Sequence, residues 1–176
     1  MIKFLPACLL LFLSCASSHK EIISISLTED TVVSHPGINN NYVKDKEINV
    51  YTDIINDIKY TNRLLLKFNE IILTERQRVD SVFLYMYYNN RSHFFKNNIK
   101  GHKGTPELSV QRIISDWNPE TITWKDSLHL APQKVIKTVK APTQDIRINI
   151  TPLIVEGEQL SPFKGLLLKL KDEYHP

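Results

Sequence analysis

TNRLLLKF, residues 61–68, is an apolar run carrying two cations four residues apart. In an extended strand successive side chains point to opposite faces. Arg63, Leu65 and Lys67 then share one face, and Leu64, Leu66 and Phe68 share the other. The two cations stand about 13 Å apart along such a strand, at roughly 3.3 Å per residue. Two readings of that face are open. It is a solvated outer face, or it is a surface that grips something acidic.

Outward from this run the same texture repeats. Residues 22–27, 30–34 and 47–52 are short extended pieces, and SVFLYMYYNN at 81–90 is the strongest strand signal, rich in aromatic and branched residues and closed by Asn-Asn. Residues 108–117, 121–124, 135–139, 146–150 and 165–170 read as further strands. Between them lie polar stretches: His35-Pro36-Gly37 followed by asparagines, the DIINDIKYT link at 53–61, and a basic loop over 92–106. Helical periodicity is scarce and no internal repeat is present. Many short strands joined by turns predict an all-β, jelly-roll-like antiparallel β-sandwich.

The chain has 176 residues, 42% hydrophobic and 23% charged, an ordinary composition for one globular domain able to bury a core. A formal net charge of +3 is too mild to imply nucleic acid as a partner. The first residues differ from the rest. Lys3 precedes an apolar run over 4–13, which has the length of a secretory leader's hydrophobic region and is too short to span a bilayer. FLSC at 12–15 resembles a bacterial lipobox, which implies cleavage after residue 14 and lipidation of Cys15. A plain secretory leader cleaved nearby is the alternative. Cys8 would leave with residues 1–14, so no disulfide would hold the mature fold. The expected organisation is a signal peptide at 1–14, a lipid-anchored tether at 15–27 and one domain at 28–176, held outside the cytoplasm on a membrane or cell surface through the lipid anchor.

Several segments occur in a familiar order: DTVVS at 30–34, NNNY at 39–42, NRLLLKF at 62–68, VDSVFLYMYY at 79–88, SDWNPETITW at 115–124, INITPLIVEG at 148–157 and FKGLLLKL at 163–170. Together they resemble the DNRLRE domain, also classed as carbohydrate-binding module family 96. The resemblance implies a β-jelly-roll that binds polysaccharide, with acidic polymers such as alginate among the family's ligands.

Arg63 and Lys67 are the leading ligand-binding candidates. Arg presents a planar fork to a carboxylate and Lys a point charge. Tyr85, Arg112 and Lys169 would join them if neighbouring strands pair suitably; tyrosine offers a sugar an apolar face and a hydroxyl. The bland reading of these aromatics is core packing. Trp117 and Trp124 are readable as a stacking platform or as framework. Asp30, Asn41 and Asp45 supply oxygen ligands suited to a structural Ca²⁺, although their spacing matches no EF-hand loop. No other cofactor is expected. The six histidines lack zinc spacing, and neither a Gly-x-Ser-x-Gly motif nor a phosphate-binding glycine loop is present. The expected function is therefore non-catalytic binding of an acidic polysaccharide, with uronate polymers among the candidates. The alternatives are a structural or adhesion module without a glycan ligand, which would expose a large apolar patch, and a lyase or hydrolase, which would need converging carboxylates or a Tyr/His pair in a cleft.

Overall fold

A computed structural model describes residues 23, 25, 27–36, 50–69, 78–88, 105–140, 144–156, 159–160 and 163–173. The described elements are β1 (Leu27–His35), β2 (Tyr51–Ile55), β3 (Ile58–Phe68), β4 (Phe83–Met86), β5 (Glu107–Ile113), β6 (Leu130–Thr138), β7 (Ile146–Asn149), a single helical turn α1 (Thr151–Ile154), β8 (Val155–Glu156), β9 (Gln159–Leu160) and β10 (Gly165–Leu170). The protein is an all-β, antiparallel, sandwich-like fold. The large sheet runs β1-β3-β10-β5-β6, with β2 also paired to β3, and β4 and β7 form a small second sheet.

The centre of the large sheet is a pair of leucine triplets. Leu64, Leu65 and Leu66 of β3 stand opposite Leu168, Leu167 and Leu166 of β10. All six are buried. The even-numbered members point between the sheets, where Leu64, Leu66, Leu166 and Leu168 meet Val32, Val110, Leu84, Ile148 and Ile150. Leu84 and Ile148 come from the small sheet, so the main core is the space between the two inner faces.

Leu65 and Leu167 point the other way and are buried as well. Val33, Ile113, Trp117 and Ile122 surround them, with Trp124, Leu128 and Leu130 packed alongside. Residues 114–129 thus lie over the outer face of the large sheet as a cover. A run of three leucines rather than strict alternation is the mark of a strand buried on both faces. The expectation that residues 121–124 form a strand is corrected: Thr121 N–H and Ile122 N–H both donate to Asn118 O, at 3.2 and 2.9 Å, and Asp126 closes the next turn by accepting from Thr123 N–H and Oγ1 at 2.7 and 2.8 Å. Those turns press Trp117, Ile122 and Trp124 onto the sheet.

Trp117 fixes the cover's position. Its Nε1 donates to Lys164 O at 2.9 Å, and its ring lies over Gly165. Gly165 has φ +141°, in the left-handed half of backbone space that L side chains rarely adopt. The 53–61 stretch is a hairpin rather than a polar link. Ile55 pairs with Ile58, and Asn56 and Asp57 between them have φ of 51° and 63°, a two-residue turn with positive φ at both positions.

Candidate functional site

The alternation in β3 places Arg63 and Lys67 on one face, as expected, and register brings Lys169 there too. Leu65 pairs with Leu167, so two residues further along Arg63 stands beside Lys169. This is the covered face, and each cation already has a carboxylate. Arg63 Nε and Nη2 donate to the two oxygens of Glu173, both at 2.8 Å. The Arg63 side chain is 29% exposed and that of Glu173 is 8%. Lys169 Nζ lies 3.7 Å from the same carboxylate. Lys67 Nζ pairs with Glu29 Oε2 at 3.0 Å, between side chains that are both well exposed. Trp124 stacks on the Arg63 guanidinium at 4.0 Å, Trp117 lies 5.8 Å from Lys67 Nζ, and His35 meets Trp124 edge-on at 5.5 Å. The tryptophans here are framework, flanking a strand and its cations.

Arg112 and Tyr85 do not join this group. Arg112 pairs with Leu166, and residues paired across a sheet point to the same side. It therefore faces the main core, and its Nε is buried. The proposed groove of Arg63, Lys67, Tyr85, Arg112 and Lys169 is corrected accordingly: three residues share the covered face, Arg112 lies on its reverse, and Tyr85 lies on the other sheet. Alternation had left the relation of Arg112 to Arg63 open, because face assignment across strands needs the register. Of the calcium candidates, Asp30 pairs with Leu66 on the core-facing side of β1, and burial raises its carboxyl above the ordinary value of 3.8. Asn41, Asp45 and the lipidation candidate Cys15 lie outside the described residues, and among the described residues no three His, Cys, Asp or Glu side chains converge as a metal site. No described helix is long and apolar enough to cross a membrane.

The outer face of the small sheet offers a different surface. In β4, Leu84 points into the main core with Val82 and Met86 beside it, so Phe83, Tyr85 and Tyr87 alternate outward. Tyr85 is 52% exposed and Tyr87 78%. Tyr85 pairs with Arg147 of β7, whose guanidinium lies 3.7 Å over the Phe83 ring and 5.6 Å from that of Tyr85. Tyr88 N–H donates to Asp145 Oδ1 at 2.9 Å, which holds the chain extended past Met86 and keeps Tyr87 in line. Among the described residues no carboxylate forms an ion pair with Arg147. A guanidinium stacked on a ring keeps its N–H donors in its own plane, so the edge of the fork remains available to an acceptor. Sequence alone does not single out Arg147 or Tyr87 as candidates. The signal was the alternation of IRIN at 146–149 set against SVFLYMYY, legible only once β4 and β7 are paired.

The chain matches no protein-family model, no curated protein and no solved structure. The likeness to the DNRLRE domain therefore stands on the motifs quoted above.

Proposed function

We propose that this protein is a non-catalytic carbohydrate-binding module of the DNRLRE type, recognising an acidic polysaccharide through the outer face of β4 and β7. The observation that carries the reading is Arg147, braced on Phe83 and without a carboxylate partner among the described residues, beside the exposed rings of Tyr85 and Tyr87. Tyrosine rings stack on the apolar face of a pyranose, and the hydroxyls reach its polar rim. The guanidinium edge takes a uronate carboxylate in two parallel hydrogen bonds. Because Phe83 already fixes Arg147, little side-chain freedom is lost on binding. Arg63, Lys67 and Lys169, engaged with acids of the chain itself, serve the fold in this reading. The lipobox-like FLSC at 12–15 supports, in this reading, a module held outside the cytoplasm by a lipid on Cys15, within reach of such polymers.

The test is titration calorimetry with uronate oligomers and neutral glucan oligomers at two salt concentrations. Uronate oligomers should bind, with affinity falling as salt rises because the exposed charge pair is screened. Arg147→Ala and Tyr85→Ala should each weaken binding at least tenfold without moving the unfolding midpoint. Oligomer length should be unchanged after long incubation, as expected of a module that cuts nothing. Uronate binding that persists undiminished in the Arg147→Ala/Tyr85→Ala variant, or no uronate binding at all, overturns the proposal.

A further inference from the structure

The outward row of β7 carries both signs of charge. Ile146 and Ile148 pack into the main core, so Asp145, Arg147 and Asn149 alternate outward, and all three are exposed. Opposite them runs the row of β4. Phe83 pairs with Asn149 and Tyr85 with Arg147, and the same register carried one step past Met86 and Ile146 sets Tyr87 beside Asp145. Arg147 and Asp145 are two residues apart, roughly 7 Å along a strand. Among the described residues the two do not form an ion pair. Their side chains lean apart. The guanidinium sits 3.7 Å over Phe83 but 5.6 Å from the ring of Tyr85, so it is drawn toward one end of the row. The carboxylate turns to the other end, where Oδ1 accepts from Tyr88 N–H at 2.9 Å. The face is thus polarised along β4, with a cation at the Phe83 end, an anion at the Tyr87 end and exposed tyrosine rings beside them.

We propose that Asp145 sets the charge pattern this face accepts, so that its polysaccharide is one in which uronate alternates with an uncharged sugar rather than a run of uronates. The inference rests on the β4/β7 reading above and adds the neighbouring sugar position to it. A uronate on Tyr85 gives its carboxylate to Arg147. The next ring of the polymer reaches Tyr87, since two residues of strand cover about the length of one sugar ring. There it meets a carboxylate. A second uronate would set like charges side by side, a repulsion that water and salt weaken without removing. An uncharged ring brings hydroxyl or amide donors instead, and the Asp145 oxygen not engaged by Tyr88 N–H accepts from them. Specificity then comes from a repulsive element placed beside the attractive one.

The test is titration of the full chain with three probes at physiological ionic strength. They are a hexamer alternating glucuronate with N-acetylglucosamine, a hexamer of glucuronate alone, and methyl glucuronoside, which reaches only the Arg147 end. The parent protein should bind the alternating hexamer at least fivefold more tightly than the glucuronate hexamer. Asp145→Asn keeps the oxygen that accepts from Tyr88 N–H, so the unfolding midpoint should hold. The variant should bind the glucuronate hexamer at least threefold more tightly than the parent does. Its affinity for the alternating hexamer and for methyl glucuronoside should change less than twofold, so the preference narrows. An equal or reversed preference in the parent, or a preference that Asp145→Asn leaves unchanged, overturns the role of Asp145; uronate binding that is lost in Arg147→Ala would still leave the β4/β7 site standing. No binding of any probe overturns the site and the charge pattern together.

Discussion

Gly165→Ala tests how the cover and the central strands are locked together. A Cβ built at Gly165 would lie 2.4 Å from Leu66 O and 3.2 Å from Trp117 Nε1. Unstrained carbon–oxygen contacts begin near about 3.3 Å, so β10 and β3 would have to separate locally by about 1 Å. Neither side gives way cheaply. Leu66 O is backbone of a strand buried on both faces, and Trp117 is tied to Lys164 O. Alanine at a φ of +141° adds a conformational cost of about 1–3 kcal/mol, and forced overpacking adds about 1–3 kcal/mol more. Taken together the loss centres near about 4 kcal/mol, and at roughly 2–4 °C per kcal/mol for a domain of this size the midpoint should fall by about 8–16 °C. Urea unfolding followed by far-UV circular dichroism and by tryptophan emission reads it directly, with the slope m unchanged if only stability is altered. A loss below about 1 kcal/mol would refute the reasoning, because it would mean that the contact between strand and cover is loose.

Trp117→Phe keeps most of the packing and removes the donor to Lys164 O, so chemical denaturation should show a loss of about 1–2 kcal/mol, against about 3–5 kcal/mol for Trp117→Ala. Lys67→Met breaks an exposed pair and should cost under about 1 kcal/mol. Arg63→Met leaves the buried Glu173 without its main partner and should cost about 2–3 kcal/mol, after discounting for the partial exposure of the arginine; equal losses for the two variants would contradict the assignment. For Asp30, burial holds the folded carboxyl above 3.8, so its ionisation opposes folding at neutral pH and costs nothing below the unfolded value, where both states are protonated. Asp30→Asn should therefore raise the melting temperature at pH 7, and the gain should fade as pH falls through the raised value and vanish below about 3.8; a gain that grows on acidification would refute it.

Much of the fold was legible because local pattern and final environment agree. GLLLKL was bounded correctly as Gly165–Leu170, and SVFLYMYY carried the alternation that sends Leu84 inward and Tyr85 outward. The failures have separate physical causes. Thr-Ile-Thr-Trp alternates like a strand, but Asn118 and Asp126 capture the neighbouring amides and bend the segment into turns. Asn56-Asp57 reads by composition as part of a polar link, although both residue types tolerate positive φ, the requirement of a two-residue hairpin. Leu65 was assigned to the cation face correctly, yet its burial depends on a cover supplied by residues about fifty positions later, which no local pattern reports. The partners of Arg63 and Lys67 were invisible for the same reason. Glu173 lies 110 residues from Arg63, and a charge seen without its counter-charge looks free. The Arg147 face needed the pairing of β4 with β7, a relation between segments about sixty residues apart.

The leucine triplets make β3 and β10 a party wall between two oily compartments. Peeling residues 114–129 from one side would wet Leu65 and Leu167, whose neighbours in the chain anchor the other side. The overlay is thus no detachable accessory: the molecule should lose both compartments in one all-or-none step, and a disturbance near the tryptophans has a short mechanical route to the far sheet.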